Sequence, residues 1–115
     1  MRVLVVGAGR VGARVLLQLR KNPDLTVVTV DPREAPYAVE EGIIPSVDYH
    51  NELTPGDLEP VLEEVKPDIV LVTTSGEDIS RTGVPGLELL VEGLRGELEE
   101  TAKVPIIAVA RTGIK

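Results

Sequence analysis

Arg2-Val3-Leu4-Val5-Val6-Gly7-Ala8-Gly9-Arg10-Val11-Gly12 opens the chain, and the fold follows from how this stretch divides. Residues 2–6 are, after Arg2, an apolar run rich in β-branched side chains. Both faces of such a strand must be buried, which is the pattern of a central parallel strand. Gly7-Ala8-Gly9 interrupts it, and from Arg10 the periodicity changes from 2 to 3.6. Val11, Gly12, Val15, Leu16 and Leu19 then share one helical stripe, with Arg10, Arg14, Gln18 and Lys21 opposite. Asn22-Pro23-Asp24 ends that helix, because proline cannot continue it.

Outward from this unit, strands and helices continue to alternate. Leu25 to Val30 reads as a second buried strand closed by Asp31-Pro32. Ala38 to Gly42 fits a helical turn with Gly42 at C′, and Ile43 to Tyr49 a third strand interrupted by Pro45. Leu58, Val61, Leu62 and Val65 form a helical stripe, with Asp57 as N-cap and Pro60 in the first turn. Residues 69–73 read as a fourth strand and residues 104–110 as a fifth. A helix carrying Leu87, Leu90, Val91, Leu94 and Leu98 lies between those two, weakened by Gly93 and Gly96. The expectation is one α/β domain over residues 1–115, a three-layer, Rossmann-like arrangement. Its parallel sheet has about five strands in the order 3-2-1-4-5, with helices on both faces. The switch point falls between the first and fourth strands.

Composition narrows the function classes. The chain has 115 residues, 43% of them hydrophobic and 27% charged, which suits a single globular core. A net charge of −7 argues against a nucleic-acid partner, and two tyrosines are the only aromatic residues available for stacking on bases. No apolar run approaches the roughly 20 residues that span a bilayer, so direct membrane insertion is not expected. The opening has no secretory-signal pattern and the chain has no cysteine, which points to a cytoplasmic protein.

Gly7-Ala8-Gly9-Arg10-Val11-Gly12 is a G-x-G-x-x-G pattern placed between a buried strand and an amphipathic helix. In that context it is a dinucleotide-binding fingerprint. Gly7 allows the tight turn, Gly9 lets a pyrophosphate approach the backbone, and Gly12 lets the helix pack against the sheet. The exposed N–H groups of the helix then meet the phosphate charge. Asp31 stands nineteen positions after Gly12 and can accept the ribose hydroxyls. Its carboxylate would repel a 2′-phosphate, so NAD is favoured over NADP. AMP, ADP and ATP are the remaining candidates. Pro32 and Arg33 follow directly; Arg33 could pair with a phosphate, cover the adenine or lie in solvent. Thr73, Thr74 and Ser75, after the fourth strand, either touch the cofactor or cap the next helix. Arg10, at the helix start, either reaches a phosphate or is an exposed helix arginine.

No catalytic constellation accompanies this site. His50 is the only histidine, beside Asp48, Tyr49, Asn51 and Glu52, and its polar setting is that of a surface residue. No histidine or cysteine cluster could hold a transition metal, and the roles of Asp48, Tyr49 and His50 stay open.

With the glycine loop, Asp31 and the Thr74–Asp78 segment in place, the sequence resembles the TrkA-N domains, also called RCK domains, which regulate potassium transport. Pro67-Asp68-Ile69-Val70-Leu71-Val72-Thr73 resembles their fourth strand. Val47-Asp48 departs from the family's usual Gly-Asp, and Asn51 to Gly56 is a polar stretch the family pattern does not place. The resemblance implies a stand-alone sensor of NAD(H) or a related adenine nucleotide, linked to potassium transport through a membrane transporter and more regulatory than catalytic. The alternative is the cofactor-binding domain or subunit of an NAD(P)-dependent oxidoreductase. Leu17, beside Ala13, and Leu89, beside Gly93 and Gly96, lie off their helices' apolar stripes and suggest a homodimer.

Overall fold

A computed structural model describes residues 1–73 and 104–109. Among these, β1 (Arg2–Val6), β2 (Thr26–Val30), β3 (Ile69–Val72) and β4 (Ile106–Ala108) form one sheet. It is wholly parallel, in the order β2-β1-β3-β4. Val3 pairs with Val27 on one side and Ile69 on the other, and Val6 pairs with Val30 and Val72. The helices are α1 (Arg10–Leu19), α2 (Tyr37–Glu40) and α3 (Pro55–Val65).

The unbroken apolar run of β1 has a direct structural reason. Leu4 and Val6 join Leu58, Val61, Leu62 and Val65 of α3 on one face of the sheet. Val3 and Val5 join Ala13 and Leu16 of α1 and Ala38 of α2 on the other. Each of these four strand residues is at most 2% exposed, and burial of such a side chain contributes about 1.5–3 kcal/mol. The three-layer α/β architecture therefore holds.

The third strand of the expected order shrinks to a single pairing. Tyr49 makes an isolated parallel bridge to Val30 on the outer side of β2. Its N–H donates to the Thr29 carbonyl at 3.1 Å, and its carbonyl accepts the Asp31 N–H at 3.0 Å. Pro45 has no N–H to offer a ladder. Just before the bridge a side chain takes over: Asp48 Oδ2 accepts the Thr29 N–H at 2.8 Å and the Thr29 hydroxyl at 3.1 Å. The strand positions corresponding to 2-1-4-5 are present as β2-β1-β3-β4, with Tyr49 standing for position 3.

α3 begins earlier than expected. Thr54, not Asp57, is its N-cap, and its hydroxyl oxygen accepts the Asp57 N–H at 3.2 Å while donating to Asp57 Oδ2 at 2.6 Å. The two residues form a reciprocal cap with Pro55 in the first helical position. The Asn51–Gly56 stretch is thus the lead-in to a helix, with Asn51 Nδ2 donating to the Asp57 carbonyl at 2.9 Å. Pro60 then falls in the helix interior rather than the first turn. That position is unfavourable by about 3 kcal/mol, and the buried Leu58, Val61, Leu62 and Val65 outweigh it.

α2 ends at Glu40 with Gly42 following at φ +72°, as the turn reading required. On α1, Val11, Gly12 and Leu16 are buried, and Val15 and Leu19 are partly so. Ala13 departs from expectation. It is 1% exposed and packs in the same cluster as Ala38 of α2, so it offers no open small-residue surface beside Leu17. Leu17 itself is partly covered. Leu89 and the 87–98 stripe lie outside the described residues, as do Thr74 and Ser75.

The closest approach in the fold is at Gly12. A Cβ there would stand 2.3 Å from the Gly7 carbonyl oxygen and 2.8 Å from Thr73 Oγ1. Gly12→Ala should therefore lose a net stability of about 1–3 kcal/mol, although alanine is the better helix former by about 1 kcal/mol. A lower urea midpoint at unchanged slope would record this; an unchanged midpoint would mean that α1 sits farther from β1.

Candidate functional site

The C-terminal ends of β1, β2 and β3 converge on the glycine loop. Gly7 turns the chain out of β1 at φ +98°, a conformation that a Cβ disfavours. Its N–H still donates to the Val30 carbonyl at 2.8 Å, which holds the turn against β2. Ala8 is clamped on both sides. Its N–H donates to Asp31 Oδ2 at 2.8 Å, and its carbonyl accepts the Ala38 N–H of α2 at 3.0 Å. Gly9 is the N-cap of α1, in an extended conformation with no side-chain cap.

The consequence is a helix terminus without a side-chain cap. Among the described residues no side chain accepts from the first N–H groups of α1, and its first turn holds no acidic residue. The N–H groups of Arg10, Val11 and Gly12 have no partner within the helix, and together they carry about half a positive charge. Arg10 lies exposed beside them, its guanidinium 5.2 Å from the centre of the Tyr37 ring. This arrangement fits an anionic group approaching the backbone at Gly9.

Thr73 is turned toward the protein backbone. It is 1% exposed. Its N–H donates to the Val6 carbonyl at 2.9 Å, and its hydroxyl lies 2.8 Å from the Gly7 carbonyl and 3.0 Å from that of Val6. The single hydroxyl proton serves the backbone, so Thr73 braces the glycine loop from beneath. Sequence reasoning missed this because the signal, a hydroxyl residue ending a buried strand, is shared by ordinary helix caps.

Asp31 is fully buried, and protein donors fill its carboxylate. Oδ1 accepts the Arg33 N–H at 2.9 Å and Arg33 Nε at 2.9 Å. Oδ2 accepts the Ala8 N–H at 2.8 Å and an Arg33 terminal nitrogen at 2.8 Å. A carboxylate has about four acceptor positions, and these contacts use them all. Burial pushes the Asp31 carboxyl up, but the Arg33 side chain, the Ala8 and Arg33 N–H groups and the Arg33 charge outweigh it and hold it below the usual range. Arg33 is the partner of Asp31, with its side chain 39% exposed beside a carboxylate that is 0% exposed. Pro32, between them, is partly buried.

The Asp48–His50 segment belongs to the sheet edge. Asp48 binds Thr29, Tyr49 bridges to Val30, and His50 is exposed. Burial and a hydrogen bond with Glu64 raise the Tyr49 phenol. Among the described residues, no group of three potential metal ligands comes together, and no helix is long and apolar enough to cross a membrane.

No protein-family model matches the chain, and no curated protein matches it significantly. Solved structures do. The NAD complex of dTDP-glucose 4,6-dehydratase from Bacillus anthracis matches with a TM-score of 0.67 at 16% identity, over 94% of this chain and 36% of that one. Yeast methylglyoxal/isovaleraldehyde reductase with NADPH matches at 0.62 and 21% identity, over 94% and 36%. N5-carboxyaminoimidazole ribonucleotide synthetase from Thermotoga maritima matches at 0.54 and 16%, over 90% and 24%. The fold is of the Rossmann type. This chain spans about a third or less of the length of each of these proteins, and none of the three is a regulator of potassium transport.

The ion pair makes stability depend on pH in a definite direction. Because folding lowers the Asp31 pKa, its contribution is complete above the unfolded value of about 3.9. It is lost as pH falls through the folded one. Asp31→Asn should cost about 1–3 kcal/mol at neutral pH through broken charged hydrogen bonds. The gap between variant and wild type, read by urea unfolding, should close below about pH 4. A gap that persists at acid pH would refute the ionised pairing.

Proposed function

We propose that this domain binds the pyrophosphate of a pyridine dinucleotide on its glycine loop, as the cofactor-binding part of an NAD(P)-dependent oxidoreductase. The observation that carries the proposal is the uncapped N-terminus of α1, with Gly9 at the N-cap and Gly12 packed against the Gly7 carbonyl. Anionic phosphate is the ligand chemistry that open helix N–H groups attract. The dehydratase and the reductase of similar fold are structures with NAD and NADPH, which supports a dinucleotide over AMP, ADP or ATP. In this proposal the glycine loop and α1 orient the cofactor, and the groups that act on substrate come from elsewhere.

A second reading keeps the domain regulatory, as a TrkA-N-like nucleotide sensor serving a potassium transporter, with a second copy of the chain as partner. The opening Gly7-Ala8-Gly9-Arg10-Val11-Gly12 and Asp31 favour it. A change in molecular mass on nucleotide binding, measured by light scattering, would support this reading over the first.

Calorimetric titration of NAD, NADH, NADP, NADPH, AMP and ATP tests the shared claim. At least one dinucleotide should bind tenfold or more tightly than AMP and ATP. Gly9→Val should weaken that binding at least tenfold, about 1.4 kcal/mol, with urea unfolding as the control for folding. Unchanged dinucleotide affinity in a folded Gly9→Val variant would refute the site.

A further inference from the structure

Asp31 and Arg33 together pose a question of selectivity. An acid at the end of the second strand ordinarily takes the ribose hydroxyls and repels a 2′-phosphate. Here the carboxylate lies below and the guanidinium above, with side-chain exposures of 0% and 39%. The acceptor positions of the carboxylate are taken by Ala8 and Arg33. For Asp31 to grip a ribose, it must first release charge-assisted hydrogen bonds to Arg33, which are about twice as strong as neutral ones. The pair's charges also cancel, so an arriving phosphate does not meet an unpaired anion. It meets the half-exposed member first, a cation that Asp31 holds through Nε and one terminal nitrogen and whose charge suits phosphate oxygens.

We infer that Arg33, held in place by buried Asp31, decides recognition at the adenosine ribose, so that this site accepts a 2′-phosphorylated dinucleotide at least as well as an unphosphorylated one. This rests on the dinucleotide-binding proposal above and reverses the preference for NAD that Asp31 alone suggests. Asp31 is then a positioning residue. Its bonds to Ala8 and to both the backbone and the side chain of Arg33 tie the glycine loop to the ribose end of the site.

The test is calorimetric titration of NADP, NAD, 2′,5′-ADP and AMP into wild-type protein, Arg33→Ala and Arg33→Lys at one fixed ionic strength. Wild type should bind NADP as tightly as NAD within threefold, or more tightly, and should bind 2′,5′-ADP more tightly than AMP. Arg33→Ala should weaken NADP at least tenfold and NAD less than threefold. Arg33→Lys should fall between for NADP, because it keeps the charge and loses the fork. A wild-type preference for NAD above threefold overturns the inference, as does an Arg33→Ala variant that binds NADP within threefold of wild type. The wild-type ratio decides the matter even if neither variant folds. If wild type binds neither dinucleotide at millimolar concentration, the dinucleotide proposal itself falls, an outcome distinct from a measured preference for NAD.

Discussion

Between Gly12 and the Gly7 carbonyl there is no room for a methyl group, and Thr73, just past β3, closes the same space. The helix, the loop and two neighbouring strands are fixed against each other by this contact. Gly7 must leave β1 with a positive φ to bring its carbonyl there. Thr73 must follow Val72, the register partner of Val6, to place its hydroxyl on that carbonyl. Once those conditions are met, the first N–H groups of α1 are left without a side-chain acceptor among the described residues. On its inner side the loop's backbone is satisfied by Val30, Asp31, Ala38 and Thr73.

The second organising element is electrostatic. Asp31 is deeply buried, and a buried carboxylate is costly unless paired and hydrogen-bonded. Arg33 and the Ala8 N–H meet that demand, and in doing so join the end of β2 to the glycine loop. The bonds that stabilise the acid are the same ones that occupy it.

The outer edge of the sheet shows how side chains replace missing backbone pairing. Thr29 at the edge of β2 finds its partners in the Asp48 carboxylate and the Tyr49 N–H rather than in a full ladder. This covers part of an exposed strand edge, which is otherwise open to pairing with other chains. Asp48 and Tyr49 thereby hold the outer edge of β2.

The sequence by itself determined β1, α1, the glycine loop, the alternation of strands and helices and the position of Asp31. These depend on local periodicity and on backbone freedoms that residue types declare directly. The start of α3 was misread because Thr54 and Asp57 are both competent N-caps, and only the direction of approach chooses between them. The third strand could not be read because its loss depends on Asp48 reaching across to Thr29. Only the tertiary structure decided that Thr73 faces inward and that Arg33 folds back onto Asp31. Those outcomes depend on competition for hydrogen-bond acceptors among groups brought together from separate strands and loops. A linear sequence states which donors and acceptors exist, whereas burial and geometry decide which of them meet.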